Sequence, residues 1–349
     1  MKSNVAAARH APNSSQTAHQ RARELLYTLA KLAIGGGLLY WVFRSGMVDV
    51  RALGDHLKDP RNAAVGFGFM LLSVSACATR WYFLARPQGL SLSPWMMFEL
   101  TMIGNFFNTF MPGSVGGDVI KAWYVAGREP KKRTRAVFTV LLDRIIGLSV
   151  ILLYSAVTLL FYSSWLAARP ELRWIATFLW AFTLGCILAS VFFFTPGLWR
   201  VQLFRRLLDL LHRWGTTSRI VDAALEYRQR PRVILLALLL SAVSMLGATL
   251  MYKYQGDRLG IPMDLAHYFF VVPVGLTASA IPILPGGLGV GQVAFYTLFL
   301  WTGVPNPETG GSLCTAVQLY TILFNCLGAI FYVRFRKLPA REHLGPSLS

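Results

Sequence analysis

Proline and glycine interrupt this chain at two places where a continuous helix is otherwise expected. Pro112-Gly113-Ser114-Val115-Gly116 and Pro285-Gly286-Gly287-Leu288-Gly289 lie 173 residues apart, each inside a long apolar stretch. A helix broken in lipid leaves backbone N–H and C=O groups unpaired. Such breaks survive only where those groups meet protein, water or a polar ligand. Two of them, one in each half of a membrane chain, point to a transport site between inverted repeats.

The other apolar runs support this reading. Residues 25–43, 62–85, 137–162, 174–194, 233–252 and 313–333 are each long enough to span a bilayer. The broken segments are 95–126 and 264–301. The expected fold is an all-α integral membrane protein with six full spans and two Pro/Gly-broken hairpins related as an inverted repeat, eight to ten helices in all. Each broken segment reads equally as one re-entrant hairpin or two short spans. The basic tail over residues 1–24 is polar and rich in Ser and Ala, so it is expected to be disordered. Residues 25–335 form one membrane domain and 336–349 a second tail. The first apolar run contains Lys31 and ends without a small-x-small cleavage site, which favours a retained span over a cleaved leader. Cys77, Cys186, Cys314 and Cys326 all fall inside spans without metal-ligand spacing, and read as packing residues.

The net charge of +18 raises the question of nucleic acid, but its distribution answers it. With both termini cytoplasmic, the cytoplasmic segments hold 22 of the 34 Lys and Arg, the outer loops seven and the spans five. This is the positive-inside bias of a multi-pass membrane protein, and no nucleic-acid partner is expected. In this topology the two Pro-Gly turns approach the midplane from opposite faces. Over residues 199–230, Leu203, Leu207, Leu210, Leu211 and Trp214 share one helical face, with Arg205, Arg206, Asp209 and Arg213 on much of the other. An interfacial helix on anionic headgroups and an ordinary connecting helix both fit.

The chemistry concentrates at the first hairpin. Asn105 and Asn108, spaced i and i+3, share a helical face. Pro112, Gly113, Gly116 and Gly117 let the backbone turn and approach a partner. A half-helix starting near Gly117 presents N–H groups that attract phosphate or carboxylate, and Lys121 adds a positive charge. Asp118 opposes an anion there; it can cap the half-helix, pair with a basic residue or take a proton. Asp143 and Arg144 follow inside the next span. As neighbours they face different ways, so each needs its own partner: Asp118 or a lipid phosphate for Arg144, Lys121 or Arg80 for Asp143. The bland alternative is a structural ion-pair network. The second hairpin carries Pro273, Pro282, Pro285, Gly286, Gly287, Gly289, Gly291 and Gln292, with no charge between His267 and Trp301. It reads as a gate or a lining for acyl or isoprenoid chains. His267 reads as a packing histidine before a proton-coupling group.

Together these motifs resemble the flippase-like membrane domain of the lysylphosphatidylglycerol synthases and their stand-alone relatives. The matching pieces are Asn105, Pro112 through Asp118, the basic loop ending at Arg135, Asp143-Arg144-Ile145-Ile146-Gly147, and Pro285 through Gly289. The resemblance covers roughly residues 25–335 and implies movement of a modified phospholipid between leaflets of the bacterial inner membrane. The expected substrate contacts are Asn105, Asn108, Pro112, Gly113, Gly116, Gly117, Asp118, Lys121, Asp143, Arg144, Pro285, Gly286, Gly287, Gly289 and Gln292. No part of the 349 residues corresponds to the synthases' soluble aminoacyl-transferase domain, so a carrier without synthase activity is expected, of phospholipid, hopanoid or polyprenyl-linked lipid.

Three functions remain open at this point. The first is a flippase or exporter for an anionic or modified lipid. It would have no cofactor or metal, and no nucleotide-binding Gly-Lys-Ser/Thr loop is present. The second is an integral-membrane transferase using Asp118 and Asp143. No metal-ligand spacing or nucleophile elbow supports it. The third is a non-transporting partner of lipid-synthesis enzymes. Oligomeric state is not legible.

Overall fold

The computed structural model describes residues 59–111, 115–161, 170–195, 215–279 and 289–336. Among these residues there are ten α-helices and no strand. They are α1 (Pro60–Ala85), α2 (Pro94–Phe110), α3 (Gly116–Arg128), α4 (Arg133–Phe161), α5 (Pro170–Phe194), α6 (Gly215–Arg228), α7 (Pro231–Arg258), α8 (Leu265–Ser279), α9 (Val290–Thr302) and α10 (Glu308–Arg336). The expected span at residues 25–43, both chain tails and the Pro112–Ser114 and Pro285–Leu288 segments lie outside the described residues.

Five helices, α1, α4, α5, α7 and α10, are long and apolar enough to cross a membrane. They match five of the six predicted spans. Large apolar side chains such as Leu72, Phe178, Ile187, Leu239 and Ile330 stand exposed along them. A water-soluble bundle would bury that surface; hydrocarbon solvates it. The chain is therefore a multi-pass, all-α membrane protein.

Local sequence sets the helix starts. Pro60 and Pro94 occupy first-turn positions that need no N–H, and Asp59 and Ser93 side chains accept from Arg61 N at 2.9 Å and Met96 N at 3.2 Å. α9 starts at Gly289, whose φ of 82° suits glycine, and stops at Gly303, with φ of 74°.

The arms of the two broken segments are short. α2 and α3 have 17 and 13 residues, α8 and α9 have 15 and 13. At 1.5 Å per residue each is about 20–25 Å long, less than the ~30 Å hydrocarbon core. In each pair the arms pack on each other, as a re-entrant hairpin does.

Helix α10 ties the hairpins together. Near its start, Gly310 sits so close to α9 that a Cβ there would meet the Phe295 carbonyl oxygen at 2.6 Å. Further along, Gln318 accepts from Gln292 Nε2 at 2.6 Å. Asn325 Nδ2 then donates to Thr109 of α2 at 2.8 Å, and Phe331 and Phe335 pack on Phe98 and Tyr124. The hairpins thus reach the middle of α10 from opposite ends. Their tips dock seven residues apart, about 10 Å along the axis. This is the geometry expected of an inverted pair.

Antiparallel packing of α1 on α7 forms the other wall. Ser73 and Ser244 hydroxyls lie 2.7 Å apart, and Arg258 bonds Asp59 at 2.8 Å. Helix α6, the described part of the predicted amphipathic stretch, docks on protein. Tyr227 donates to the Leu84 carbonyl at 2.5 Å, and Gln88 donates to Ala223 O at 2.8 Å. Burial pushes the Tyr227 pKa up, so its hydroxyl stays protonated as a donor. Leu203, Leu207, Leu210, Leu211 and Trp214 lie outside the described residues.

Close approach of α2 and α3 rests on glycine: a Cβ on Gly117 would overlap the Gly104 carbonyl oxygen. Gly117→Ala is expected to cost at least about 1–3 kcal/mol in thermal unfolding of the detergent-solubilised protein. Gly127→Ala, on the same helix with no heavy atom within 4 Å of the added carbon, should be neutral or slightly stabilising. Equal melting of the two variants would show that the glycine contact does not set the hairpin.

Candidate functional site

The first hairpin's tip solves its backbone problem from within. The half-helix α3 begins at Gly116, one residue before the expected start. Its Gly117 N–H donates to Asn108 Oδ1 at 2.8 Å, across the hairpin. The N-cap residue Val115 has no side-chain cap bond, so Asp118 does not cap the helix. Instead Asp118 sits in the first turn, where a carboxylate offsets the positive end of the helix dipole. One of the N–H groups expected to attract a phosphate is thus already taken.

Two ionic clusters lie side by side at this depth. In the first, Asp118 Oδ1 is 3.2 Å from Lys121 Nζ, and its Oδ2 accepts from Arg144 of α4. In the second, Arg80 Nε donates to Asp143 Oδ1 at 2.7 Å and Arg80 NH1 donates to Ser241 of α7 at 2.8 Å. Of the partners predicted for Asp143, Arg80 is the one found; Lys121 turns to Asp118. The α1 neighbours Arg80 and Trp81 join the clusters, because Lys121 Nζ lies 5.4 Å from the centre of the Trp81 ring. Trp81 in turn donates to Thr139 at 3.3 Å. Gly147, close beside the Arg80 guanidinium, leaves room for it.

Depth is consistent across three helices. Asp118, Asp143 and Ser241 each lie ten residues from the helix ends Arg128, Arg133 and Pro231. That is about 15 Å, half of a ~30 Å core. Asp118 and Asp143 therefore lie well inside their helices, away from the basic ends. Their exposure differs: the Arg80 and Asp143 side chains are 7% and 10% exposed, Lys121 9%, Asp118 14% and Arg144 32%. Arg144 is the cation of the group that reaches the surface.

The second hairpin repeats the capping logic without charge. Gly289 N–H donates to Gln292 Oε1 at 2.6 Å, and Gln292 Nε2 donates to Gln318 and, at 3.2 Å, to Thr315. Gln292, an expected substrate contact, is buried in these bonds. Pro112, Gly113, Pro285, Gly286 and Gly287 lie outside the described residues. Asn105 is half-buried on α2, and its backbone carbonyl accepts from Thr109 at 2.9 Å.

An apolar groove of about 810 Å³ opens between α4, α7 and α8. On α4, Val150 and Val157 lie seven and fourteen residues beyond Asp143 and so share its face. On α7, Leu238, Leu239 and Ala242 surround the position of Ser241. The groove thus starts beside the Arg80–Asp143–Ser241 cluster and follows α4 away from the basic end.

These hairpins and the paired Asp118 and Asp143 motifs lie within residues 28–328, the part of the chain matched by the family model described as the lysylphosphatidylglycerol synthase TM region. The chain belongs to that family. Neither the curated proteins nor the solved structures compared with it contain a match. The family match spans both hairpins and ends at Gly328, against which α2 packs.

Sequence reasoning placed Asp118, Lys121, Asp143 and Arg144 in one neighbourhood, and they are together. It missed Ser241, Trp81, Gln318 and Asn325 as partners. The signal for the last two was present: carboxamides in the middle of an apolar span need internal partners. Arg80 was named only as a partner, although an arginine inside a span is itself a marker of function.

Breaking the Arg80–Asp143 pair leaves a buried charge alone. Arg80→Met is expected to cost about 3–5 kcal/mol in detergent-phase unfolding, and Arg80→Met with Asp143→Leu distinctly less. A double variant no more stable than the single one would show that the two side chains act independently.

Proposed function

We propose that the chain is a lipid carrier that moves an anionic or modified, phosphate-bearing lipid between leaflets of the bacterial inner membrane, without being an enzyme itself. The observation that carries the proposal is the charge held between the membrane helices. Three cations, Arg80, Lys121 and Arg144, face two carboxylates, Asp118 and Asp143, in bonded contact. Intramembrane charge is costly and tends to be kept for function. An excess cation on a guanidinium that reaches the surface suits a phosphate oxyanion, which matches its fork.

The apolar groove supports the same reading. It gives hydrocarbon chains a place beside the polar cluster, so a headgroup can reach charged groups while its tails stay in an apolar setting. Phospholipid, polyprenyl-linked lipid and hopanoid derivatives with an anionic headgroup all meet this requirement. The basic ends of α3, α4 and α7, with exposed Arg128, Lys131, Arg133, Arg135 and Arg232, would lie on the cytoplasmic side. Lipid-synthesis enzymes on that side are the natural protein partners of such a carrier.

Leaflet-selective labelling with lipidomics tests this in cells carrying wild type, a deletion, or Arg144→Ala at matched protein levels. One lipid class is expected to accumulate on the inner leaflet in both mutants while its total amount holds. If that lipid is missing altogether, the chain belongs to its synthesis, as a transferase or an enzyme partner, and the carrier reading falls.

A further inference from the structure

Asp118 is held by two cations of unlike accessibility. Lys121, its neighbour on α3, is pinned: its stem lies against Gly104, where a Cβ would meet Cε at 2.5 Å, and its ammonium rests over Trp81. Arg144 belongs to a different element, α4, and is 32% exposed. Exposed Val115 and Val119 flank Asp118 on α3, and exposed Leu141 and Ile145 flank Arg144 on α4. The contact between carboxylate and guanidinium therefore lies at a seam that opens towards lipid.

Resting on the carrier reading above, we propose that the Asp118 carboxylate is a built-in stand-in for the headgroup phosphate. In the empty site it holds Arg144; when a lipid enters, the phosphate takes the guanidinium and Asp118 stays with Lys121. Both anions accept the same guanidinium N–H donors, so the exchange is like for like. A cation inside a bilayer needs a counter-anion at every stage, loaded or empty. Without the stand-in, the guanidinium would lack the carboxylate it bonds here, and a loaded site would have no carboxylate in place to displace the phosphate. Lys121 makes the exchange reversible, because it keeps the displaced carboxylate charged and near. The exchange also removes one bond between α3 and α4, since Asp118 and Arg144 bridge those two helices.

The test is calorimetric titration of the purified full chain in detergent with dihexanoyl phosphatidylglycerol. Dihexanoylglycerol, which lacks phosphate, and inorganic phosphate serve as separate arms. Wild type is expected to bind the phospholipid and neither control. Asp118→Asn should bind it about tenfold tighter or more, because the competing anion is gone. Asp118→Glu should stay near wild type, and Arg144→Gln should lose binding. Asp118→Ser also removes the carboxylate and reads the same quantity if the asparagine variant does not fold. If removing the carboxylate leaves affinity unchanged, or weakens it as Arg144→Gln does, Asp118 is scaffold and the stand-in is wrong while the carrier reading stands. If wild type and every Asp118 variant ignore the phospholipid, the carrier reading falls with it. If inorganic phosphate binds as tightly as the phospholipid, the site takes a free anion and the lipid assignment is overturned.

Discussion

A helix that begins inside a bilayer must find acceptors for its first N–H groups within the protein. Both hairpins answer with a carboxamide: Asn108 for Gly117 N, and Gln292 for Gly289 N. Much else follows from this constraint. With the caps supplied by side chains of the hairpins themselves, Thr109 and Gln292, each close to a break, bond α10. The remaining amide hydrogens of Gln292 then reach Gln318, and Asn325 of α10 reaches the other tip. Glycine at Gly104, Gly117, Gly291, Gly310 and Gly328 brings the backbones near enough for these bonds to form.

The two hairpins share a scaffold but differ in chemistry. At the second, Gln292 bonds Gly289 N, Thr315 and Gln318, all neutral groups, so these contacts form a polar latch without charge. At the first, a carboxylate and two cations sit beside the capped turn. The adjoining Arg80–Asp143 pair joins α1 to α4 and, through Ser241, to α7. It fixes spans to one another, whereas Asp118 and Arg144 join a hairpin to a span. A structural pair and an exchangeable one therefore stand side by side, separated by burial: 7% and 10% exposure on one side, 32% at Arg144 on the other.

The sequence made the architecture legible because two kinds of residue are costly in lipid and so mark their own positions. Proline and glycine located both breaks, and the described arms stop and start at Phe110, Gly116, Ser279 and Val290 on either side of them. Charges inside spans located the clusters. Pairing was harder to read. Lys121 was open to either carboxylate, and its choice of Asp118 depends on the i, i+3 spacing together with the Trp81 ring, which comes from α1. The role of Asp118 as a cap was excluded by a residue on the opposite arm, Asn108, whose reach depends on how closely Gly104 and Gly117 approach. Such three-body outcomes have no local sequence signature.

Opposed hairpins also define how much protein separates the two sides. Between Gln318 and Asn325, α10 carries Tyr320 and Phe324, both buried, and Phe324 meets Phe67 of α1 edge-on at 5.6 Å. This apolar layer is about 10 Å deep. On either side of it a hairpin brings a polar residue, Thr109 or Gln292, against α10. A headgroup admitted from one side along the first hairpin would find charge as far as the layer, and carboxamides and hydroxyls past it. On the carrier reading proposed above, the barrier to crossing is set by one layer of aromatic packing rather than by the full thickness of the membrane. On that reading, a movement that opens the layer acts on the contacts flanking it, Asn325 with Thr109 and Gln318 with Gln292.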